Sequence, residues 1–187
     1  MTAASEANMQ QDIIDFWFSD ETRKLWFNST PEFDQLLRAR YLETWEQAGR
    51  GEIDHWMQSA DGCVALVIVL DQFPLNMFRG DAQAFATEDR SRDVARFAIE
   101  RGFDESLSAD KKGFLYMPFM HSENHEDQDL SLRLFDQPGL ESSLRFAHHH
   151  YDIVARFGRF PHRNASLGRT STAAEIEYLN SKQAFTG

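Results

Sequence analysis

The amino-acid sequence predicts an all-α fold in a single domain that spans residues 1–187. Apolar residues recur at the three- and four-residue spacing of a helix face along most of the chain. Residues typical of helix caps stand before and after several of these stretches. Outside one apolar run, the sequence shows neither a candidate strand nor a hairpin turn. A chain of 187 residues is long enough to bury one sizeable core.

Two helices are predicted within the first 50 residues. One is indicated by four apolar residues that share a helix face, Ile13, Ile14, Trp17 and Phe18. The other begins with Thr30 as N-cap and Pro31 at the first helical position, and Gly49 and Gly51 end it. Its predicted buried face consists of Phe33, Leu36, Leu37, Tyr41, Thr44, Trp45 and Ala48.

Three further helices are predicted in the second half of the chain. One is lined by Val94, Phe97, Ala98 and Arg101 and closed by Gly102. The next carries Leu130, Leu134 and Phe135 and begins at about residue 123, with Ser122 as cap. The last begins with the capping box of Thr172 and Glu175 and continues through Leu179.

The apolar run from Cys63 to Leu70 suits a buried strand as well as a buried helix. We predict a central helix, because a single strand would have no partner. Cys63 is the only cysteine, which excludes an intramolecular disulfide, and its apolar setting predicts a buried, inert thiol. The run is too short to cross a bilayer.

The net charge limits the kinds of molecule that the protein is expected to bind. The formal net charge is -11, so the protein is predicted not to bind nucleic acid, whose phosphates it would repel. The first residues show no signal peptide. We therefore expect a cytoplasmic protein without membrane association. The sequence does not indicate the oligomeric state.

Proline follows an apolar helical stretch at three places, in Phe73-Pro74, Met117-Pro118 and Phe160-Pro161. Proline lacks an N–H donor and biases its predecessor toward extended backbone. We predict that the helices end at these prolines.

The segment 156–169 is the most informative stretch of the chain. It places Arg156, Arg159, Arg163 and Arg169, with His162 and Asn164, in an otherwise acidic protein. Guanidinium groups need anionic or carbonyl partners. The segment therefore either connects parts of the fold or holds a negatively charged ligand.

Other polar residues are candidate partners of these arginines. Asp71 lies on the predicted buried face of the central helix, so its carboxylate should have a partner. Arg79, which follows shortly in the sequence, is a candidate for that partner. Glu123 stands at a predicted helix start, where it can accept from an arginine. His150 shares a predicted buried face with Phe146, Ile153 and Phe157, which favours a core histidine held by a hydrogen bond.

A metal site is considered at His121, Glu123 and His125 and is not predicted. The two histidines are four residues apart, but Ser122 as a helix cap would place His121 before the helix. A convincing site needs three well-held protein ligands. No cofactor is predicted, because the sequence lacks a glycine-rich phosphate loop, a paired-cysteine motif and a nucleophile elbow.

The chain resembles the bacterial family known as domain of unknown function 924, over nearly its whole length. The likeness is carried by residues 70–74 with Asn76, Arg79 and Gly80, by residues 114–118 with 121–123 and Gln128, and by His150, 156–164, 167–169, Ser171 and Thr172. The resemblance implies an all-α, tetratricopeptide-like superhelix or bundle of antiparallel helix pairs. It implies no known activity.

The chain departs from the family pattern at three positions. Leu75 stands where arginine is usual, which removes one cationic contact. His125 replaces a usual apolar residue, which further weakens the metal interpretation, and Glu88 replaces a usual Asp.

Three functional interpretations remain open. The first is a site for a small anionic ligand, with His121, His150, His162 and Asp71 as candidate catalytic residues. Its predicted ligand-binding residues are Asp71, Asn76, Arg79, His121, Glu123, His150, Arg156, Arg159, His162, Arg163, Asn164 and Arg169. The second is a tetratricopeptide-like scaffold that binds an acidic peptide or partner. The third is a structural network of ion pairs that joins the proline turns.

Overall fold

The structure, a computed structural model, describes the backbone of residues 3–185 and the side chains of residues 9–185. The described backbone is helical and contains no strand, which confirms the all-α prediction. The α-helices are α1 (Ala3–Trp17), α2 (Asp20–Arg23), α3 (Pro31–Arg50), α4 (Ala60–Val67), α5 (Phe73–Met77), α6 (Glu88–Glu100), α7 (Ala109–Met120), α8 (His125–Phe135), α9 (Glu141–Phe157) and α10 (Ala173–Leu179). A π-helical turn covers Ile68–Gln72, and 3-10 turns cover Asp54–Gln58, Ala82–Phe85, Phe103–Ser106 and Pro161–Arg163.

The chain divides into two compact units. The N-terminal unit consists of Met1–Arg79 and Gln83–Pro118, and the C-terminal unit consists of Gly80–Ala82 and Phe119–Gly187. The N-terminal unit holds α1 to α6 and α7 as far as Pro118, and the C-terminal unit holds α8 to α10. That residues 1–187 form a single domain stays a prediction.

The core of the N-terminal unit is built around α4. Every residue from Cys63 to Leu70 is fully buried, which confirms the interpretation of this run as a central helix. α4 packs against α1 and α6, while α3 packs against α5 and the π turn. Burial raises the pKa of the Cys63 thiol to about 11, so the thiol is protonated and unreactive at neutral pH.

The prediction that a helix ends at Phe73-Pro74 is wrong. Helical backbone runs without interruption from Ala60 to Met77, by way of the π turn. Pro74 has no N–H for the Leu70 carbonyl, and the Thr87 hydroxyl donates to that carbonyl instead, at 2.6 Å. A donor from another part of the chain thus replaces the missing bond.

The same run is long and apolar enough to cross a membrane by length and composition, with a mean hydropathy of 1.3 over Ala60–Met77. Core helices of soluble proteins pass the same test, and 78% of this window is buried inside the protein. The helix is therefore accounted for as a core element.

The other two prolines behave differently from each other. α7 continues through Pro118 to Met120, so the predicted stop at Met117-Pro118 is also wrong. α9 does not continue through Phe160-Pro161, but it already ends at Phe157, so the proline is not what ends it. Its end is set by Gly158, whose φ of +69° is a left-handed conformation that costs glycine little.

Most predicted caps are confirmed. Thr30 caps α3, and Thr172 with Glu175 forms the capping box of α10. Gly51 ends α3 in a left-handed conformation, whereas Gly49 lies inside the helix. Ser122 is not the cap of α8, which begins at His125 with Asn124 as N-cap.

In the C-terminal unit, α8 packs against α9. An apolar cluster of Ile153, Val154, Phe160 and Tyr178 forms part of its core. Phe146, predicted to share this buried face, is 57% exposed, and Leu36 of α3 in the other unit is 47% exposed. Both lie at the margin of an apolar face, where spacing alone does not decide burial.

Candidate functional site

Three of the predicted site residues belong to the N-terminal unit. Asp71 lies in the π turn, is 2% exposed, and accepts a hydrogen bond from Gln72 Nε2 at 2.6 Å. π turns often occur at functional sites. Arg79, named as a nearby arginine for Asp71, binds both oxygens of Asp34 at 3.0 and 3.4 Å and the Asn76 side-chain oxygen at 3.1 Å.

The other nine predicted residues belong to the C-terminal unit, and the arginines among them have distinct partners. Arg159 makes a two-pronged ion pair with Glu175, at 2.6 and 2.9 Å, and also donates to the Thr170 carbonyl. The Glu175 residue is 2% exposed. Hydrogen bonds from Arg159 and from Thr172 lower the pKa of Glu175 to about 2, so it stays ionised at neutral pH.

Arg169 makes the second ion pair of this kind. Its two terminal nitrogens donate to the two oxygens of Glu123, both at 2.8 Å. The Phe160 N–H also donates to Glu123, at 2.8 Å. Burial acts to raise the pKa of Glu123, but these hydrogen bonds outweigh it and lower the pKa. The prediction that Glu123 accepts from an arginine is confirmed.

Arg163 and Arg156 lie in contrasting environments. Arg163 is 5% exposed, donates to the His121 carbonyl at 2.9 Å, and places its guanidinium 4.7 Å from the centre of the Phe160 ring. Arg156 is exposed and lies over the Phe157 ring at 4.6 Å. Arg163 is therefore the arginine of the segment that is held inside the unit.

His150 and His162 pack against Phe160, and His121 lies beside His150. We call His121, His150 and His162 the histidine cluster. The ring centres of His121 and His150 are 6.1 Å apart, and those of His150 and Phe160 are 5.5 Å apart. The ring of His162 lies 5.7 Å from that of Phe160. This arrangement joins residues that are separated by 41 positions in the chain.

His150 is the buried, hydrogen-bonded histidine that the sequence predicts. It is 5% exposed, and its Nδ1 lies 2.8 Å from the Phe146 carbonyl. Because a carbonyl only accepts, the proton is on Nδ1 and the lone pair of the neutral ring is on Nε2. Burial, reinforced by the neighbouring His121, lowers the pKa of His150 to about 3.

His162 is kept neutral as well. Burial and the charge of Arg163 lower the pKa of His162 to about 4. Its buried Nδ1, and the buried side-chain oxygen of Asn164, have no hydrogen-bond partner among residues 9–185. The Asn164 amide donates to the Ser171 hydroxyl at 3.0 Å. Buried polar atoms without partners are rare and call for an explanation.

Within the described side chains, no group of three or more His, Cys, Asp or Glu residues could hold a metal ion. His125, part of the considered metal motif, is exposed at the start of α8. The N-terminal unit has an open cleft of about 560 Å³ that the sequence analysis did not indicate. Its lining consists of Gln10, Gln11, Ser59, Ala60, Asp61, Ser106, Leu107, Ser108 and Lys111.

Sequence reasoning missed several residues of the C-terminal unit. The capping box identified Glu175, but no local signal showed that its carboxylate would also bind Arg159, 16 positions earlier. Phe185, which packs on the histidine cluster, gave no signal. Nothing in the local pattern singled out Ser171 as a partner of Asn164.

The described part of the chain is helical, and carboxylates of the same unit hold two arginines of its basic segment. The chain belongs to the family described as bacterial protein of unknown function (DUF924), whose profile matches residues 13–183. It is similar to a solved structure of a protein of unknown function, ATU0120, from Agrobacterium tumefaciens, with 41% identity and a TM-score of 0.88. That likeness covers 93% of this chain and 98% of the other. A search of curated proteins found no match.

Proposed function

We propose that the C-terminal unit binds a small anionic molecule at the histidine cluster, next to Arg163. The observation that carries the proposal is the buried Nδ1 of His162, which lacks a hydrogen-bond partner among the described side chains. His162 belongs to the histidine cluster, in which lowered pKa values keep both His162 and His150 neutral. A bound molecule that hydrogen-bonds to this nitrogen would remove the cost of burying it.

The arginine contacts narrow the ligand-binding set. Arg159 and Arg169 each direct two nitrogens to a carboxylate of the protein, so their strongest donor pairs are engaged. Arg156 is exposed on the surface. The charge of Arg163 acts on His162, and we assign the ligand's negative charge to Arg163 and its hydrogen bonds to His162 and Asn164. Asp71, Asn76 and Arg79 stay in the predicted set without a contact that supports their role.

Proton transfer is the reaction type for which the histidines are candidates, but a pKa of about 3 makes His150 a weak base at neutral pH. A neutral imidazole with its proton on Nδ1 offers the Nε2 lone pair as a base, which describes His150. A guanidinium nearby stabilises the anion that deprotonation creates. We therefore propose binding, and not proton transfer, as the function of the site.

The test is calorimetric titration of the full chain with inorganic phosphate and with succinate. We expect at least one probe to bind, and His162→Phe to weaken it tenfold or more. Arg156→Met is the matched control, since it removes an exposed arginine of the same segment and should leave binding unchanged. Absence of binding by both probes, or equal binding by His162→Phe, would count against the proposal.

The second candidate is a tetratricopeptide-like scaffold for an acidic peptide, with the polar cluster purely structural. Its support is the pairing of Arg159 and Arg169 with internal carboxylates, together with the short connection from α8 to α9. Phe146, at 57% exposure on α9, offers an apolar contact. A pull-down with acidic peptides in which Phe146→Ala abolishes capture would favour this candidate.

A cytoplasmic location is likewise a proposal. It rests on a single cysteine, which is buried and reduced, in a chain that has no disulfide to gain from an oxidising compartment. The net charge of -11 gives no support to a nucleic-acid partner. Fractionation of cells that express the protein would test the location.

A further inference from the structure

An aromatic residue from the end of the chain lies on the histidine cluster. The ring of Phe185 packs edge-to-face on His150, with ring centres 4.6 Å apart, and on His162, at 5.0 Å. It also meets His149 at 6.0 Å. Three imidazoles thus contact one phenyl ring, which also packs against the apolar cluster of Ile153, Val154, Phe160 and Tyr178.

Few contacts hold the segment that carries this ring. Ser181, Lys182 and Gln183 are exposed, and their hydrogen bonds stay within the segment or reach only the Tyr178 carbonyl. The Phe185 N–H donates to the Tyr178 hydroxyl at 2.9 Å. Beyond this bond and the local turn, the ring itself is the main anchor. Segments with few buried contacts open at low free-energy cost.

Phe185 is an imperfect partner for the surface that it covers. Nδ1 of His162 is buried without a hydrogen-bond partner among residues 9–185, and a phenyl ring can neither donate nor accept a conventional hydrogen bond. The centres of the two rings are 5.0 Å apart, so a hydroxyl or a ring N–H on a ring in this place would lie close to the imidazole that carries this nitrogen. A polar aromatic ring could supply the hydrogen bond that Phe185 cannot.

We propose that the histidine cluster is a binding site for an aromatic ring that carries a hydrogen-bonding group, and that Phe185 occupies this site until the ligand displaces it. The ligand's anionic group would be held by Arg163, a part of the inference that rests on the proposed function. Phe185 then acts as an internal competitor: release of residues 181–185 precedes binding.

A chemical-modification experiment tests, without any ligand, whether Phe185 shields the histidines from the solvent. Diethylpyrocarbonate acylates neutral imidazoles, and mass spectrometry of peptides reports the rate at each histidine. In Phe185→Ala, the rates at His149 and His162 should rise threefold or more, while that at His125 stays the same. Phe27→Ala is the control, because it removes a phenyl ring that is 78% exposed in the other unit. Unchanged rates in a folded Phe185→Ala protein would overturn the proposal.

A binding experiment tests the ligand class. The probes are 4-hydroxyphenylacetate, phenylacetate and acetate, titrated into the wild-type chain and into the Phe185→Ala and Phe185→Leu variants. We expect 4-hydroxyphenylacetate to bind most tightly, and to bind Phe185→Ala at least fivefold more tightly than the wild type. Phe185→Leu, which keeps an apolar side chain, should lie between them.

The outcomes separate this inference from the proposed function. Equal binding of the hydroxylated ring by wild type and Phe185→Ala would reject Phe185 as a competitor and leave anion binding standing. Binding of acetate as tight as that of the two ring-bearing probes would reject the aromatic ligand alone. Failure of every probe in both proteins would reject both proposals.

Discussion

Acidification should destabilise this protein between pH 7 and pH 5, before its carboxylates are protonated. The pKa values of His150 and His162 are lowered from 6.5 to about 3 and about 4. Because the unfolded chain takes up protons at these histidines and the folded protein excludes them, the unfolded state binds more protons in this range. The free energy of unfolding is therefore highest above pH 6.5 and falls as the pH drops toward the folded-state pKa values.

The size of the effect follows from the two pKa values of each histidine. At pH 5, protonation of one unfolded imidazole raises the equilibrium constant of unfolding by a factor of about 30. This lowers the free energy of unfolding by about 2 kcal/mol for each histidine. Both together give about 4 kcal/mol if they titrate independently, a large part of the stability of a typical domain. Glu123 and Glu175 have lowered pKa values, so their contributions are lost mainly below pH 4.5.

The assay is urea unfolding, followed by circular dichroism, at intervals from pH 7.5 to pH 5.0. His150→Phe keeps a ring in the same space and should remove about half of the pH dependence, or about 2 kcal/mol at pH 5. His125→Asn, at an exposed position on α8, should keep the wild-type slope. A wild-type loss below about 1 kcal/mol over this range, or an unchanged slope in His150→Phe, would refute the reasoning.

Three further changes test the fold by urea unfolding at pH 7.5. Thr87→Val should destabilise by about 1–3 kcal/mol, because the buried Leu70 carbonyl would lose the donor that replaces the proline N–H. Gly158→Ala should cost about 1 kcal/mol from the left-handed backbone alone, since no heavy atom beyond its chain neighbours lies within 4 Å of the added methyl. Glu123→Gln should cost about 2 kcal/mol, less than a fully buried pair, because its side chain is 23% exposed and that of Arg169 is 29% exposed.

Two of these changes, Thr87→Val and Glu123→Gln, have a matched control. Thr87→Ser keeps the hydroxyl and should retain most of the stability. Asp129→Asn removes an exposed carboxylate on α8 and should have little effect. Wild-type stability in Thr87→Val would show that the Leu70 carbonyl does not depend on this bond. If Glu123→Gln and Asp129→Asn were equally mild, the Arg169 pair would contribute nothing measurable.

The sequence predicted features that depend on neighbouring residues. The caps at Thr30 and Thr172 and the left-handed glycine after α3 each need only a short stretch of chain, and all three are confirmed. The cap of α8 was misplaced because Ser122 and Asn124 are both typical N-cap residues, two positions apart. Local chemistry limits the choice of cap but does not always decide it.

The prolines show why other features could not be predicted. Whether Pro74 ends a helix depends on a donor for the Leu70 carbonyl, and that donor is Thr87, 17 positions away from Leu70. Pairings such as Arg159 with Glu175 depend in the same way on tertiary placement. The sequence showed that the arginines needed partners, but it did not show which carboxylates would provide them.

The two ion pairs bear on the choice between a structural network and a ligand site. They fix Arg159 and Arg169, which stand on either side of the 3-10 turn Pro161–Arg163 that carries His162. Side chains held by their neighbours in this way lose little entropy when a ligand binds. The carboxylates that engage the outer arginines therefore do not argue against the proposed site, because they hold the chain on both sides of Arg163 and His162. If that is right, Glu123→Gln should weaken ligand binding as well as folding, although Glu123 is not assigned a contact with the ligand.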